Sequence, residues 1–158
     1  MLQSRFRRRH PVITTRSKHV LLVEDNDNDA ELALAMLEKC DPTIGVEVAR
    51  DGAEALDYLY RRGAYATRPQ AEPAVILLDL KMPKVTGVEV LREVKANEKL
   101  KSIPVVILTS SREVQDVREC YRLGANGYVV KPVDAKHFGL AITCIGAYWA
   151  ATNEQPPP

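Results

Sequence analysis

Scarcity is informative first. The chain has only three cysteines, Cys40, Cys120 and Cys144, far apart and without a C-x-x-C pair. An odd, scattered set of this kind excludes a disulfide framework and a zinc site, and points to reduced thiols in a cytoplasmic protein. No run approaches the ~20 apolar residues that a membrane span requires. The N-terminus is basic, but no apolar segment follows it, which argues against a secretory signal. Residues 1–18 hold no acid at all, against six basic residues: Arg5, Arg7, Arg8, Arg9, Arg16 and Lys18. Beyond them, 16 of the 22 basic residues face all 21 acidic ones, so the near-neutral total conceals a basic tail on an acidic body. The run "RFRRRH" suits nucleic acid or an anionic membrane, yet such runs are more often solvated tails. No specific nucleic-acid or membrane partner is expected.

What is present is an ordinary globular composition, 46% apolar and 27% charged over 158 residues, enough for one domain with a full core. From residue 19 the pattern alternates strand and helix. "HVLLV" precedes the helical "NDAELALAMLEKC". "GVEVA" precedes "GAEALDYLYRRG", read as a helix ending at Gly63. "AVILLDL" and "IPVVILTS" are apolar throughout, as strands buried on both faces require. "VEVLREVKANEKL" and "REVQDVRECYRLG" are helical. "NGYVV" is a fifth strand, and "DAKHFGLAITCIGAYWAA" a last helix. No internal repeat is visible. Five strands alternating with five helices predict an α/β fold: a doubly wound parallel sheet with helices on both faces. The expected layout is a basic segment at 1–17, one domain over 18–150 and a tail at 151–158.

The stretch "VEDNDNDAEL", Val23 to Leu32, resembles the opening of a calcium loop. An EF-hand needs Gly at its sixth position and a bidentate Glu at its twelfth. Counted from Asp25, those positions are Ala30 and Met36, and the preceding segment is a strand. A capped helix accounts for the second half: Asp27 or Asn28 as N-cap, with Asp29 and Glu31 complementing the dipole. Glu24 and Asp25 need another explanation, because they stand at the carboxyl end of the first strand.

Ligands of open parallel sheets bind beyond the carboxyl ends of the strands. The residues there are Glu24 and Asp25, Asp79, Thr109, and Lys131 before Pro132. Three carboxylates, a hydroxyl and an ammonium thus meet at one edge. Carboxylates so gathered repel one another unless a cation is bound, and a few hard oxygens suit Mg²⁺. A carboxylate can itself be a phosphoryl nucleophile. The remaining requirements of phosphoryl transfer are charge neutralisation and positioning, which Mg²⁺, a lysine and a hydroxyl supply.

With "LLVEDN", "ILLDLKMPKVTGVEVL", "IPVVILTS" and "GANGYVVKPV" in order, the sequence resembles the response-regulator receiver domains of bacterial two-component signalling over about residues 18–150. That resemblance implies a flavodoxin-like sheet of order 2-1-3-4-5. It implies Asp79 as phosphoacceptor, and Glu24, Asp25, Asp79 and the backbone carbonyl of Lys81 around Mg²⁺. Thr109 would be the switch hydroxyl, Tyr128 the switch aromatic and Lys131 the cation on the phosphate. Met82, Pro83 and Gly87 would shape the loop after Asp79. Ser110 stands where a small Ala is usual and is expected to crowd the site slightly. A cis peptide at Lys131-Pro132 is expected to aim the ammonium. Phosphate on Asp79 would draw in Thr109 and let Tyr128 turn inward. His10, His19 and His137 lack a partner pattern, and Arg50, Arg61, Arg62 and the "KANEKLK" charges read as solvated.

The flanking segments leave no room for an output domain, so a single-domain receiver, phosphorylated by a sensor histidine kinase, is the leading expectation. The long loop before the third strand, "TSSREVQDV" and "AYWAA" resemble the small receivers paired with bacterial phytochromes. An aspartate-nucleophile phosphatase would need an Asp at 81, which is Lys, and a cap domain. A receiver-like scaffold that is never phosphorylated is the other alternative. On the last helix, Phe138, Ala141, Ile142, Ile145 and Trp149 can face the sheet. Leu140, Cys144, Ala147 and Tyr148 then form a second apolar strip. It either folds against the fourth helix and the tail or makes a homodimer through the fourth helix, fifth strand and fifth helix.

Overall fold

The computed structural model of the chain describes residues 18–69 and 71–157. The expectations attached to 1–17, His10 included, lie outside the described residues. Five strands, β1 (His19–Val23), β2 (Gly45–Ala49), β3 (Val75–Leu78), β4 (Val105–Thr109) and β5 (Gly127–Val130), form one parallel sheet. Its order is β2-β1-β3-β4-β5, as expected. Between them run α1 (Asp27–Cys40), α2 (Gly52–Tyr60), α3 (Gly87–Ala96) and α4 (Val114–Leu123), with α5 (Ala135–Ile145) last.

The period of two in the strands divides the core. Leu21, Val23, Ile76, Leu78, Val105 and Ile107 pack on one face with α2 and α3 through Leu59, Val90, Leu91 and Val94. Val20, Leu22, Val75, Leu77, Val106 and Leu108 pack on the other with α1 and α5 through Leu37, Phe138 and Ile142. β3 and β4 are buried on both faces, which is why their sequences are unbroken apolar runs. Each fully buried Leu or Ile contributes roughly 1.5–3 kcal/mol. Among the described residues no helix is long and apolar enough to cross a membrane.

Several local expectations are corrected. The N-cap of α1 is Asn26, not Asp27 or Asn28; its side chain accepts the Asp29 N–H at 3.0 Å, so the helix starts a residue earlier. α2 stops at Tyr60 rather than Gly63, because Arg61 and Gly63 both take left-handed backbone (φ 54° and 56°). The last helix does not keep its α pitch to residue 151. From Gly146 to Thr152 it widens into π-helical turns, with the Asn153 N–H on the Tyr148 carbonyl at 2.6 Å. The wider turn carries Ala150 into the core while Ala147 and Tyr148 stay exposed.

Lys95 is not a solvated charge. Its ammonium donates to the carbonyls of Lys101 (3.1 Å) and Ile103 (2.8 Å) and to Asn126 Oδ1 (3.0 Å), tying α3 to the edges of β4 and β5. Burial lowers its pKa from the ordinary lysine value. Arg50 pairs with Asp27, and Arg61 with Glu72 at 3.1 Å. His19 is bonded to the Tyr58 hydroxyl, and His137 to Asp134. Only the His137–Asp134 pair has helical spacing, i to i+3; the others join residues at no regular period.

Candidate functional site

The sheet order puts the carboxyl ends of β1, β3, β4 and β5 side by side. Glu24 and Asp25 follow β1, Asp79 follows β3, Thr109 ends β4 and Lys131 follows β5. Carboxylate oxygens of Glu24, Asp25 and Asp79 all lie within 4.8 Å of one another. Asp25 is exposed, whereas Glu24 is 2% and Asp79 6% exposed.

The loop after β3 is held tightly. Thr86 and Glu89 close a capping box at the start of α3, with the Glu89 carboxylate accepting the Thr86 N–H at 2.7 Å. Gly87 lies against the backbone that carries Asp79. A Cβ there would sit 2.0 Å from the Asp79 carbonyl oxygen and 2.7 Å from Leu80 Cα. Only glycine permits that approach.

Lys131 is the hub of the site. Its ammonium contacts Glu24 Oε2 at 2.6 Å, Asp29 Oδ2 at 3.0 Å and Asp79 Oδ2 at 3.2 Å, and its side chain is largely buried. Asp29, expected only to complement the helix dipole, is thus also a member of the site. The expected cis bond before Pro132 is not found: among the described residues no peptide is cis. The trans form is intrinsically favoured by about 0.5–1 kcal/mol, and the four-carbon lysine stem reaches the carboxylates without a cis bond.

Electrostatics follow from this packing. Burial pushes the Glu24 carboxyl up to about 7, with the Lys131 ammonium opposing the rise. On Lys131 burial disfavours the charge, but Glu24 and Asp79 outweigh it and raise the pKa. Glu24, Asp29 and Asp79 share one ammonium, and Asp25 adds a fourth carboxylate to the cluster, leaving the pocket short of positive charge. Clustered hard oxygens with such a deficit fit a divalent cation of the Mg²⁺ type.

The switch candidates Thr109 and Tyr128 are adjacent and both bond to Ser111. Thr109 is fully buried, and its hydroxyl accepts a long bond from the Ser111 N–H at 3.4 Å. The Tyr128 hydroxyl donates to the Ser111 carbonyl at 3.0 Å, so the half-buried ring is already turned toward the β4–α4 loop. Ser111 also donates its hydroxyl to Asp116 on α4. Ser110, expected to crowd the site, is exposed, and Ser111 is the buried serine. The Lys81 side chain is exposed, and its N–H faces Asp79 Oδ1 at 3.4 Å.

A parallel sheet of this order with an acidic pocket and a lysine at its carboxyl edge defines a doubly wound α/β domain with a cation-suited site beyond its strand ends. The response regulator receiver domain family matches residues 20–143, and the chain belongs to that family. Response regulator Rcp1 of Synechocystis sp. is 38% identical over 139 residues, 88% of this chain and 93% of the relative. Its Mn²⁺-bound form superposes with a TM-score of 0.82 at 37% identity, over 88% of this chain and 99% of that one. The phosphorylated cyanobacterial phytochrome response regulator RcpA gives 0.83 at 37% identity, over 88% and 98%. The bacteriophytochrome response regulator AtBRR is 57% identical over 86% of this chain and 97% of that chain, with a TM-score of 0.68. The protein is therefore a response-regulator receiver of two-component signalling, a class whose partners are sensor histidine kinases.

Proposed function

We propose that Asp79 accepts a phosphoryl group from the phosphohistidine of a sensor kinase and that the acceptance repacks an interaction face. The observation that carries this is the Lys131 ammonium on Asp79 Oδ2 at 3.2 Å inside the carboxylate cluster. An Asp79 oxygen attacks phosphorus as the donor P–N bond breaks, and the imidazole leaves with the bonding pair and takes a proton. Glu24, Asp25, Asp79 and the Lys81 carbonyl would hold Mg²⁺, which when bound neutralises charge on the transferred group. Lys131 contacts the phosphoryl oxygen opposite, and Thr109 donates its hydroxyl to another. The domain responsible spans 18–150, between the basic segment and the tail.

Incubation with a small acyl phosphate and Mg²⁺, read by intact mass, tests this. Wild type is expected to gain one phosphoryl group stably, and Asp79→Asn none, with its circular dichroism unchanged. Uptake by Asp79→Asn at the wild-type rate would move the acceptor elsewhere. Turnover of the donor without a stable adduct would favour a phosphatase.

The 57% identity to a bacteriophytochrome response regulator supports a bacteriophytochrome as the kinase. Transfer from a panel of purified phosphorylated kinases tests it. The second proposal is a homodimer through α4, β5 and α5. It is supported by exposure of Leu140 (54%) and Tyr148 (51%), with Cys144 and Ala147 beside them on the same helix and Val114 and Tyr121 on α4. A symmetric pair places the same strip on both partners. Because the dimer face includes β5, which carries Tyr128, phosphorylation and dimer affinity are expected to be coupled.

A further inference from the structure

An ammonium has three donors, and Lys131 spends all three on carboxylates: Glu24 Oε2, Asp29 Oδ2 and Asp79 Oδ2. Two of these partners, Glu24 and Asp79, belong to the oxygen cluster that suits a divalent cation, and Asp29 does not. When those oxygens turn to a cation, Asp29 is the acid left to hold the ammonium. Asp29 is well placed for this. Its own N–H is fixed by Asn26 Oδ1 at 3.0 Å, and the Asn26 N–H is fixed by Glu24 Oε1 at 3.1 Å. The first turn of α1 is thereby tied to the end of β1, and its third residue faces a lysine 102 positions away.

We propose that Asp29 is a positioning residue for Lys131, keeping the ammonium over Asp79 once the other carboxylates are engaged; this rests on Asp79 being the phosphoacceptor. Two effects of Asp29 oppose each other. Its charge partly offsets the ammonium that the incoming phosphoryl group needs. Its hydrogen bond restricts a flexible four-carbon stem that otherwise swings toward solvent. The Asp29 side chain is 36% exposed, so water screens the first effect, while the second depends on geometry and persists. Positioning therefore wins, and the net effect is modest.

The test uses the full chain with a small acyl phosphate and Mg²⁺. Asp29→Ala is expected to slow phosphate uptake about fivefold, the scale of one partly screened charge-assisted contact. Asp29→Asn, whose amide oxygen still accepts, is expected to fall between that variant and wild type. Mg²⁺ affinity by calorimetry is expected to stay within about twofold, because Asp29 lies outside the cation's oxygen cluster. In a Lys131→Met background the Asp29→Ala change is expected to add less than about twofold, since its partner is gone. Independently of phosphorylation, the Lys131 side-chain ammonium in Mg²⁺-loaded wild type is expected to give an exchange-protected ¹⁵N signal that Asp29→Ala abolishes. Uptake by Asp29→Ala as fast as or faster than wild type would overturn the proposal, as would equal slowing in the Lys131→Met background or survival of the ammonium signal. If wild type itself takes up no phosphate, the functional reading fails, and the ammonium signal still decides whether Asp29 holds Lys131.

Discussion

The Tyr128 hydroxyl donates to the Ser111 carbonyl oxygen at 3.0 Å, joining β5 to the loop that leads from Thr109 into α4. Thr109 accepts the N–H of the same Ser111, and Ser111 bonds Asp116 on α4. A pull on Thr109 toward a phosphoryl group thus reaches Tyr128 and α4 through one residue. Tyr128→Phe removes one hydrogen bond, worth about 1 kcal/mol. Phosphate uptake is expected to be retained, while the amide shifts that phosphorylation produces in α4 shrink. Full-size shifts in the variant would disconnect Tyr128 from the switch.

Gly87→Ala is expected to cost about 3 kcal/mol in urea unfolding, at the upper end for overpacking, because the new Cβ meets backbone atoms that cannot rotate away. The displaced Asp79 carbonyl also moves the proposed acceptor, so phosphate uptake is expected to slow. An alanine variant of wild-type stability would show that the loop yields easily.

Burial, aided by the Arg68 guanidinium, holds the His19 imidazole below its ordinary 6.5, while Glu72 opposes. The Tyr58 hydroxyl bonds its Nε2. The folded state then binds fewer protons than the unfolded chain. The contribution is full above 6.5 and declines as pH falls toward the folded value. Unfolding free energy measured from about pH 8 to about pH 5 is expected to fall less steeply on acidification in His19→Gln than in wild type. Parallel curves would remove His19 from the pH response.

Leu140→Asp and Tyr148→Asp, each placing a charge in the exposed strip of the last helix, are expected to leave the protein monomeric in sedimentation at micromolar concentrations where the proposed wild-type dimer is expected to form. Phosphodonor is expected to shift the wild-type equilibrium and not that of the variants. A wild type that stays monomeric throughout would remove the dimer, and a dimer indifferent to both charges would place it on another face.

Much of this protein was legible in one dimension. β3 and β4 announced themselves because strands buried on both faces need apolar residues at every position. Once the strands were ordered, Glu24, Asp25, Asp79, Thr109 and Lys131 could be assigned to one edge, since each stands at a strand's carboxyl end and parallel strands share a direction. What only the tertiary structure decided lies in contacts without a period. The N-cap of α1 at Asn26 sets the phase of its first turn, and each residue of offset rotates a side chain by about 100°. Asp29 therefore meets Lys131 in space and not in any pattern. Lys95 looked like one charge in a solvated run, but two carbonyls of the α3–β4 connection and the Asn126 side chain before β5 close around its ammonium. Local periodicity reports which face of an element is buried. Only packing determines which polar atoms from distant parts of the chain complete one another's hydrogen bonds.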